Sequence, residues 1–237
     1  MARTWIIVPA AGGGARFGAT PPKQYADLAG IPLLARTLDR LGTLDAETIV
    51  VVLAPDDVHF DSLIGTRRRV EPLRCGGITR TATVRNALRA LARTCGADDW
   101  ILVHDAARPC VPRESLARLV RELADDAVGG LLALPLADTL KRSGPASDAP
   151  RVMRTEDRAG LWLAQTPQMF RYRILCDAHA LDTARDCTDD AQAIEALSAT
   201  GACAMPRLVT GTSANIKVTY PGDLALAAAI LTMQGGA

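Results

Sequence analysis

Aromatic side chains are scarce in this chain: three Trp, three Tyr and three Phe make up 4% of 237 residues. A core must therefore be built from Leu, Val, Ile and Ala, and the 49% apolar content is ample for one α/β domain, alone or with a small appendage. Excess charge is also lacking. Twenty-seven basic and 26 acidic residues leave a net charge of +1, which argues against a general nucleic-acid or membrane surface and leaves room for a local cationic pocket. The run Arg67-Arg68-Arg69 reads as a solvated face. No apolar stretch reaches the ~18 residues that cross a bilayer, and the N-terminus lacks the basic segment and long apolar core of a secretion signal. The six cysteines include no Cys-x-x-Cys pair and the three histidines lie apart from them, so neither a zinc site nor a disulfide framework is indicated. Reduced thiols in a cytoplasmic protein are the simple reading. Internal repeats and low-complexity linkers are absent.

What is present begins at the N-terminus. Trp5-Ile6-Ile7-Val8 reads as a buried strand, followed at once by Pro9-Ala10-Ala11-Gly12-Gly13-Gly14-Ala15-Arg16-Phe17-Gly18 and then Pro22-Lys23-Gln24-Tyr25. Consecutive glycines leave backbone N–H groups unobstructed, so the main chain can wrap closely around an anion. Arg16 and Lys23 bring two cations to the same loop, and together these features describe a grip for a triphosphate. The competing reading is a tight strand-to-helix turn that merely needs glycine. The loop is not an NTPase P-loop, because no Lys follows Gly18. It is a poor dinucleotide fingerprint as well, because Phe17 stands at the third glycine position. A free nucleotide suits it better than NAD.

Apolar runs alternate with amphipathic segments. Trp5–Val8, Ile49–Leu53, Trp100–Val103 and Leu131–Leu134 read as strands. Leu33, Leu34, Leu38 and Leu41, then Val84, Leu88 and Leu91, then Leu116, Leu119, Val120 and Leu123, fall at helical spacing. This order predicts an α/β fold, a mainly parallel twisted sheet flanked by helices on both sides, with ligands beyond the carboxyl ends of the strands. Residues 1–237 read as one such domain. Asp138–Arg142 and Arg151–Glu156 break the pattern as two extended arms around a segment rich in turn formers, which predicts a projecting hairpin over about residues 137–160. A lone hairpin is marginal in water, so a second copy of the chain is its natural partner, with a surface loop as the plainer alternative. Thr188-Asp189-Asp190 opens a helix, Asn215–Thr219 reads as a short strand, and Pro221-Gly222-Asp223 begins a last helix through Met233.

His104-Asp105-Ala106-Ala107-Arg108-Pro109 follows a strand end. Asp105 there fits two roles: a ligand for substrate or a divalent cation, or a cap for the next turn paired with Arg108. His104 reads as packed rather than catalytic.

The loop motifs, Gly76-Gly77-x-x-Arg80, the His104–Pro109 segment, Asp138-Thr139, Asp157-Arg158, Thr166-Pro167-Gln168, Thr188-Asp189 and Asn215-Ile216-Lys217-Val218-Thr219 occur in a fixed order. In that order the chain resembles the 2-C-methyl-D-erythritol 4-phosphate cytidylyltransferases, from about residue 5 to 232. The resemblance implies a Rossmann-like nucleotidyltransferase fold with a hairpin dimerisation arm and a homodimer. It also implies transfer of CMP from CTP to the polyol phosphate with Mg²⁺. By the same resemblance Arg16, Lys23 and Lys217 serve catalysis; Ala10, Ala11, Gly12, Gly14, Gly77, Thr83 and Ala106 hold the nucleotide. Asp105, Arg108, Thr139, Arg158, Thr166 and Thr188 hold the polyol phosphate, Thr139 and Arg158 reaching the partner subunit's site, and Asp105 touches a metal held mainly by CTP phosphates. Two positions depart from the family pattern: Ala15 replaces a second arginine, and Ile78 replaces a polar residue. A cytidylyltransferase for another polyol phosphate, such as ribitol 5-phosphate, and an inactive nucleotide-binding regulator are the rival readings.

Overall fold

A computed structural model describes residues 2–12, 17, 22–144 and 149–235. The chain runs β1 (Thr4–Pro9), a 3-10 turn (Lys23–Tyr25), β2 (Asp27–Leu28), β3 (Ile31–Pro32), α1 (Leu33–Leu41), β4 (Thr48–Val52), α2 (Phe60–Leu63), β5 (Val70–Leu73) and α3 (Arg80–Ala90). It continues through β6 (Trp100–Val103), α4 (Arg113–Leu123), β7 (Gly129–Pro135), β8 (Lys141–Ser143), β9 (Val152–Thr155), β10 (Trp162–Arg171), α5 (Tyr172–Ala180), α6 (Asp190–Ser198), β11 (Arg207–Thr210) and α7 (Asp223–Met233).

Seven strands form the main sheet in the order β11-β7-β10-β6-β1-β4-β5. Only β10 runs against its neighbours; β1, β4, β5 and β6 pair in parallel, as do β7 and β11. Period-two alternation splits β1 between two apolar layers. Ile6 and Val8 pack with Leu34 and Leu38 of α1 and Leu116 and Leu119 of α4. Trp5 and Ile7 pack on the other face with Val84 and Leu88 of α3, Leu175 of α5 and Ile194 of α6. Leu34, Leu116 and Leu119 are fully buried, each contributing ~2 kcal/mol of transfer free energy. A third cluster, joining Leu28, Leu33, Cys110 and Val218 to Ala227 and Leu231, seats α7 against the sheet's end. Two glycines let β7 fit between its neighbours: a Cβ on Gly129 would lie 2.1 Å from Met169 O, and one on Gly130 2.1 Å from Arg207 O.

The mainly parallel sheet and the hairpin follow the sequence-based expectation. β8 and β9 pair antiparallel in a separate two-stranded sheet, and every residue of both strands is exposed. One expectation fails: Asn215–Thr219 is not a strand. It is an irregular strap, tied to the β6 loop by Val218 N–H to Ala107 O at 2.8 Å. The strand near the C-terminus is β11, where Arg207–Thr210 shows mixed burial rather than an apolar run. All six cysteines are free. Among the described residues, no helix is long and apolar enough to cross a membrane.

Candidate active site

The carboxyl ends of β1 and β6 and the loop after β5 enclose a cavity of about 440 Å³. Ala10, Ala11, Gly12, Lys23, Gly77, Thr83 and Ala106 line it. Local bonds set each wall. Ala10 donates its N–H to Val52 O and accepts from Gln24 Nε2, both at 2.8 Å. Gln24 thereby fixes the 3-10 turn that carries Lys23, and Tyr25 anchors the same turn through Asp57 Oδ2 at 2.7 Å. Lys23 Nζ donates to Val218 O at 2.8 Å. Thr79 caps α3 by accepting from Ala82 N–H, and the Thr83 hydroxyl accepts from Gly77 N–H at 3.0 Å. A Cβ on Gly77 would meet Ala82 Cβ at 2.5 Å, so close packing of this loop requires glycine there.

A second cavity of about 220 Å³ adjoins it, lined by Arg108, Gln165, Thr166, Gln168, Thr188 and Asp189. Three residues line both cavities: Arg80, Asp105 and Lys217. They form the wall between the two. Asp105 is 8% exposed. Its Oδ1 lies 3.1 Å from Arg80 Nε, and its Oδ2 lies 2.7 Å from Lys217 Nζ and 3.8 Å from Arg108 Nε. Burial alone would push the Asp105 carboxyl up; Arg80, Lys217 and Arg108 outweigh it and hold the group well below the usual carboxylate range. Burial pulls the Arg108 guanidinium down. For Arg80, burial acts in the same direction, but Asp190 and Asp105 more than reverse it.

The wall is held from behind. Asp105 N–H donates to Thr166 Oγ at 3.0 Å, and Thr166 Oγ lies 3.2 Å from His104 Nδ1. His104 Nε2 lies 3.0 Å from Arg108 O, which can only accept, so Nε2 carries the proton and Nδ1 accepts from the threonine hydroxyl. His104 is fully buried, which lowers its pKa to about 4. A neutral ring with both nitrogens engaged is a structural part, as the sequence indicated. The strap is pinned as firmly: Asn215 Nδ2 donates to Thr166 O at 2.8 Å, and Arg108 NH1 donates to Asn215 O at 2.6 Å. This pinning, rather than sheet pairing, is what brings Lys217 to Asp105.

The structure brings together Lys23, Lys217, Ala10, Ala11, Gly12, Gly77, Thr83, Ala106, Asp105, Arg108, Thr166 and Thr188 around these adjoining cavities. Gly14, Ala15 and Arg16 lie outside the described residues. Thr139 and Arg158 line neither cavity; both are exposed where the hairpin leaves the sheet, and Arg158 donates to Ala137 O. Ile78 is fully exposed at the mouth of the larger cavity. Sequence reasoning gave no role to Arg80, Gln24 or Asn215. All three stood inside quoted motifs, and their place in those motifs was the available signal. Another cavity, of about 540 Å³, opens among Arg36, Arg40, Arg113 and Gln234. It holds none of the motif residues, so chemistry rather than size selects the site.

The model of the 2-C-methyl-D-erythritol 4-phosphate cytidylyltransferase family (IspD) matches residues 4–233. A 2-C-methyl-D-erythritol 4-phosphate cytidylyltransferase of Dechloromonas aromatica (strain RCB) is 55% identical over 236 residues, 98% of each chain. A solved 4-diphosphocytidyl-2C-methyl-D-erythritol synthase superposes with a TM-score of 0.84 at 35% identity, covering 98% of this chain and 99% of that one. The Francisella tularensis 2-C-methyl-D-erythritol 4-phosphate cytidylyltransferase superposes with a TM-score of 0.80 at 30% identity, covering 97% and 100%.

Proposed function

We infer the roles of the site residues from one premise: the chain belongs to the 2-C-methyl-D-erythritol 4-phosphate cytidylyltransferase family. It is a nucleotidyltransferase of the non-mevalonate isoprenoid pathway, moving the cytidylyl group of CTP to methylerythritol phosphate. In our reading residues 1–237 work as one unit, in the cytoplasm. CTP occupies the larger cavity with its base and ribose along Ala10, Ala11, Gly12, Gly77, Thr83 and Ala106. The polyol phosphate occupies the smaller one, near Arg108, Thr166 and Thr188. The observation that supports this is the shared wall: a reaction between two phosphates needs one place open to both, and Arg80, Asp105 and Lys217 face both cavities.

The polyol phosphate oxygen attacks the α-phosphorus in line with the departing pyrophosphate. A phosphate monoester is already ionised at neutral pH, so the obstacle is repulsion between anions rather than a missing base. Neutral, fully bonded His104 is consistent with that. Lys23 and Lys217, with Arg16 by the family resemblance, offset the charge. A cation ~4 Å from a phosphoryl charge contributes about 4 kcal/mol at an effective dielectric near 20, before desolvation. Asp105 keeps Lys217 and Arg80 in place between substrates.

Magnesium fits this site on one condition. Asp105 offers a single carboxylate whose two oxygens already engage Arg80 and Lys217, and no set of three metal-ligating side chains occurs among the described residues. The triphosphate must therefore supply most ligands, as is usual for Mg²⁺; bound there, the ion neutralises phosphate charge. The hairpin is read as the arm of a homodimer. Val152 and Met153 are 64% and 59% exposed, an apolar surface that a second copy would cover, with Thr139 and Arg158 reaching the partner's polyol cavity.

Pyrophosphate release measured with CTP, Mg²⁺ and a panel of polyol phosphates tests the reading. Methylerythritol phosphate is the expected substrate. Ribitol 5-phosphate turning over faster, or no release with any member, overturns it. Lys23→Ala at saturating CTP is expected to lose most turnover, and near-native turnover removes Lys23 from catalysis.

A further inference from the structure

Behind the wall lies a second charged layer that neither cavity reaches. Asp190, the first residue of α6, is fully buried, and His179 of α5 is 2% exposed. Asp190 Oδ1 lies 3.0 Å from His179 Nε2, and a carboxylate only accepts, so Nε2 donates. Asp190 Oδ2 lies 2.8 Å from Arg80 NH2. Arg80, the first residue of α3, thus divides its guanidinium between two carboxylates on different elements, Asp190 behind and Asp105 in front, the latter at 3.1 Å. Burial alone would push the Asp190 carboxyl up, but Arg80 and His179 reverse this and keep it ionised.

Buried ion pairs add little net stability over apolar packing, because desolvation offsets their attraction. What this chain of groups does provide is orientation. With one carboxylate partner, the Arg80 side chain would be free to rotate about Asp105; with two, its plane is fixed. We propose that Asp190 is a positioning residue for cytidylyl transfer: braced by His179, it holds the Arg80 guanidinium in the wall, presented to both phosphates. The inference rests on the reading that the reactants meet at Asp105. Asp190 itself touches neither reactant.

A double-mutant cycle tests it by pyrophosphate release, with folding checked by circular dichroism and melting. Asp190→Ala is expected to lower kcat roughly 30-fold with the KM for CTP changed less than about threefold, the pattern of an interaction realised in the transition state. Arg80→Ala should cost as much, and the Asp190→Ala/Arg80→Ala double variant no more than Arg80→Ala alone, because residues acting through one another are not additive. Asp190→Asn, which keeps a polar oxygen of the same shape beside Arg80, should recover at least about tenfold of the Asp190→Ala loss. Losses that multiply in the double variant, or native kcat in folded Asp190→Ala, overturn the proposal. Should Asp190→Ala fail to fold, Asp190→Leu, which fills the buried site but offers Arg80 no acceptor, carries the same cycle with and without Arg80→Ala. Lys217→Met run in parallel separates the two levels. If it is impaired and Asp190 variants are not, only this inference falls; if it too is native, the reading of the wall falls.

Discussion

Replacing Lys217 by Met removes one charge while leaving most of the side chain's apolar stem. Lys217 Nζ lies 2.7 Å from Asp105 Oδ2, and the side chain is 43% exposed. A phosphoryl charge ~4 Å from this ammonium gains about 4 kcal/mol at an effective dielectric near 20. Two effects reduce that figure: Asp105 already shares the charge, and water screens a side chain this exposed. A net loss of about 2 kcal/mol in the transition state is left, or roughly 30-fold in kcat. Stability should barely change, by less than ~1 kcal/mol, because Arg80 and Arg108 still face Asp105 and the lost pair was half solvated. Steady-state pyrophosphate release at saturating CTP and methylerythritol phosphate, beside a denaturant titration, separates activity from folding. A folded Lys217→Met enzyme with kcat within threefold of native would refute the placement of the α-phosphate at this wall.

The buried His104 makes stability fall in mild acid. Its folded pKa, about 4, lies below the usual 6.5, so the unfolded chain binds the extra proton first and stability drops as pH falls from 6.5 toward 4. Between pH 7 and 5 this costs about 2 kcal/mol in denaturant unfolding, and His104→Asn should remove that part of the slope; identical slopes would refute it. A Cβ on Gly76 would lie 2.2 Å from Ala11 Cβ and 2.6 Å from Leu53 O. Gly76→Ala should therefore destabilise by about 2–3 kcal/mol and raise the KM for CTP, seen as a lower Tm and a shifted saturation curve; a native Tm contradicts it. Met153→Asp on the hairpin should yield folded but monomeric, weakly active enzyme by sedimentation velocity, and unchanged sedimentation removes the arm from assembly.

Strands buried on both faces were legible as apolar runs, and Trp100–Val103 coincides with β6 because every residue there is buried. β5 and β11 escaped notice because edge strands alternate partly buried with exposed residues, and Val70-Glu71-Pro72-Leu73 carries a charge and a proline. The first three residues of β10 are exposed, and the buried stretch that follows holds Gln165, Thr166 and Gln168, all hydrogen-bonded around the site rather than apolar. Polar residues needed for positioning erased the strand signal. The same logic misread Asn215–Thr219: Ile216 and Val218 look like a strand, yet Asn215 ties the segment down through side-chain bonds that no periodicity encodes. Of the cavity-lining residues, Lys23, Asp105 and Arg108 stood out from local pattern, a glycine loop and a strand end, whereas Thr83, Thr166, Thr188 and Lys217 were named only through the family resemblance. Asp190 and His179 were not legible, since the Arg80 they brace lies about a hundred residues away in sequence and only the fold joins them.

The lone reversed strand also dictates when the sheet can close. β7 and β11 meet the rest of the sheet only through β10. A nascent chain that has emerged as far as β9 therefore carries raw edges on β6 and on both sides of β7, with nothing yet made to fill the gap between them. Such edges template mispairing with other chains. Completion waits for a late insertion across large sequence separations, a slow topology by its nature. Synthesis of residues 162–171 thus supplies the strand that closes the gap between β6 and β7, and the outer edge of β7 is covered only when β11, residues 207–210, follows.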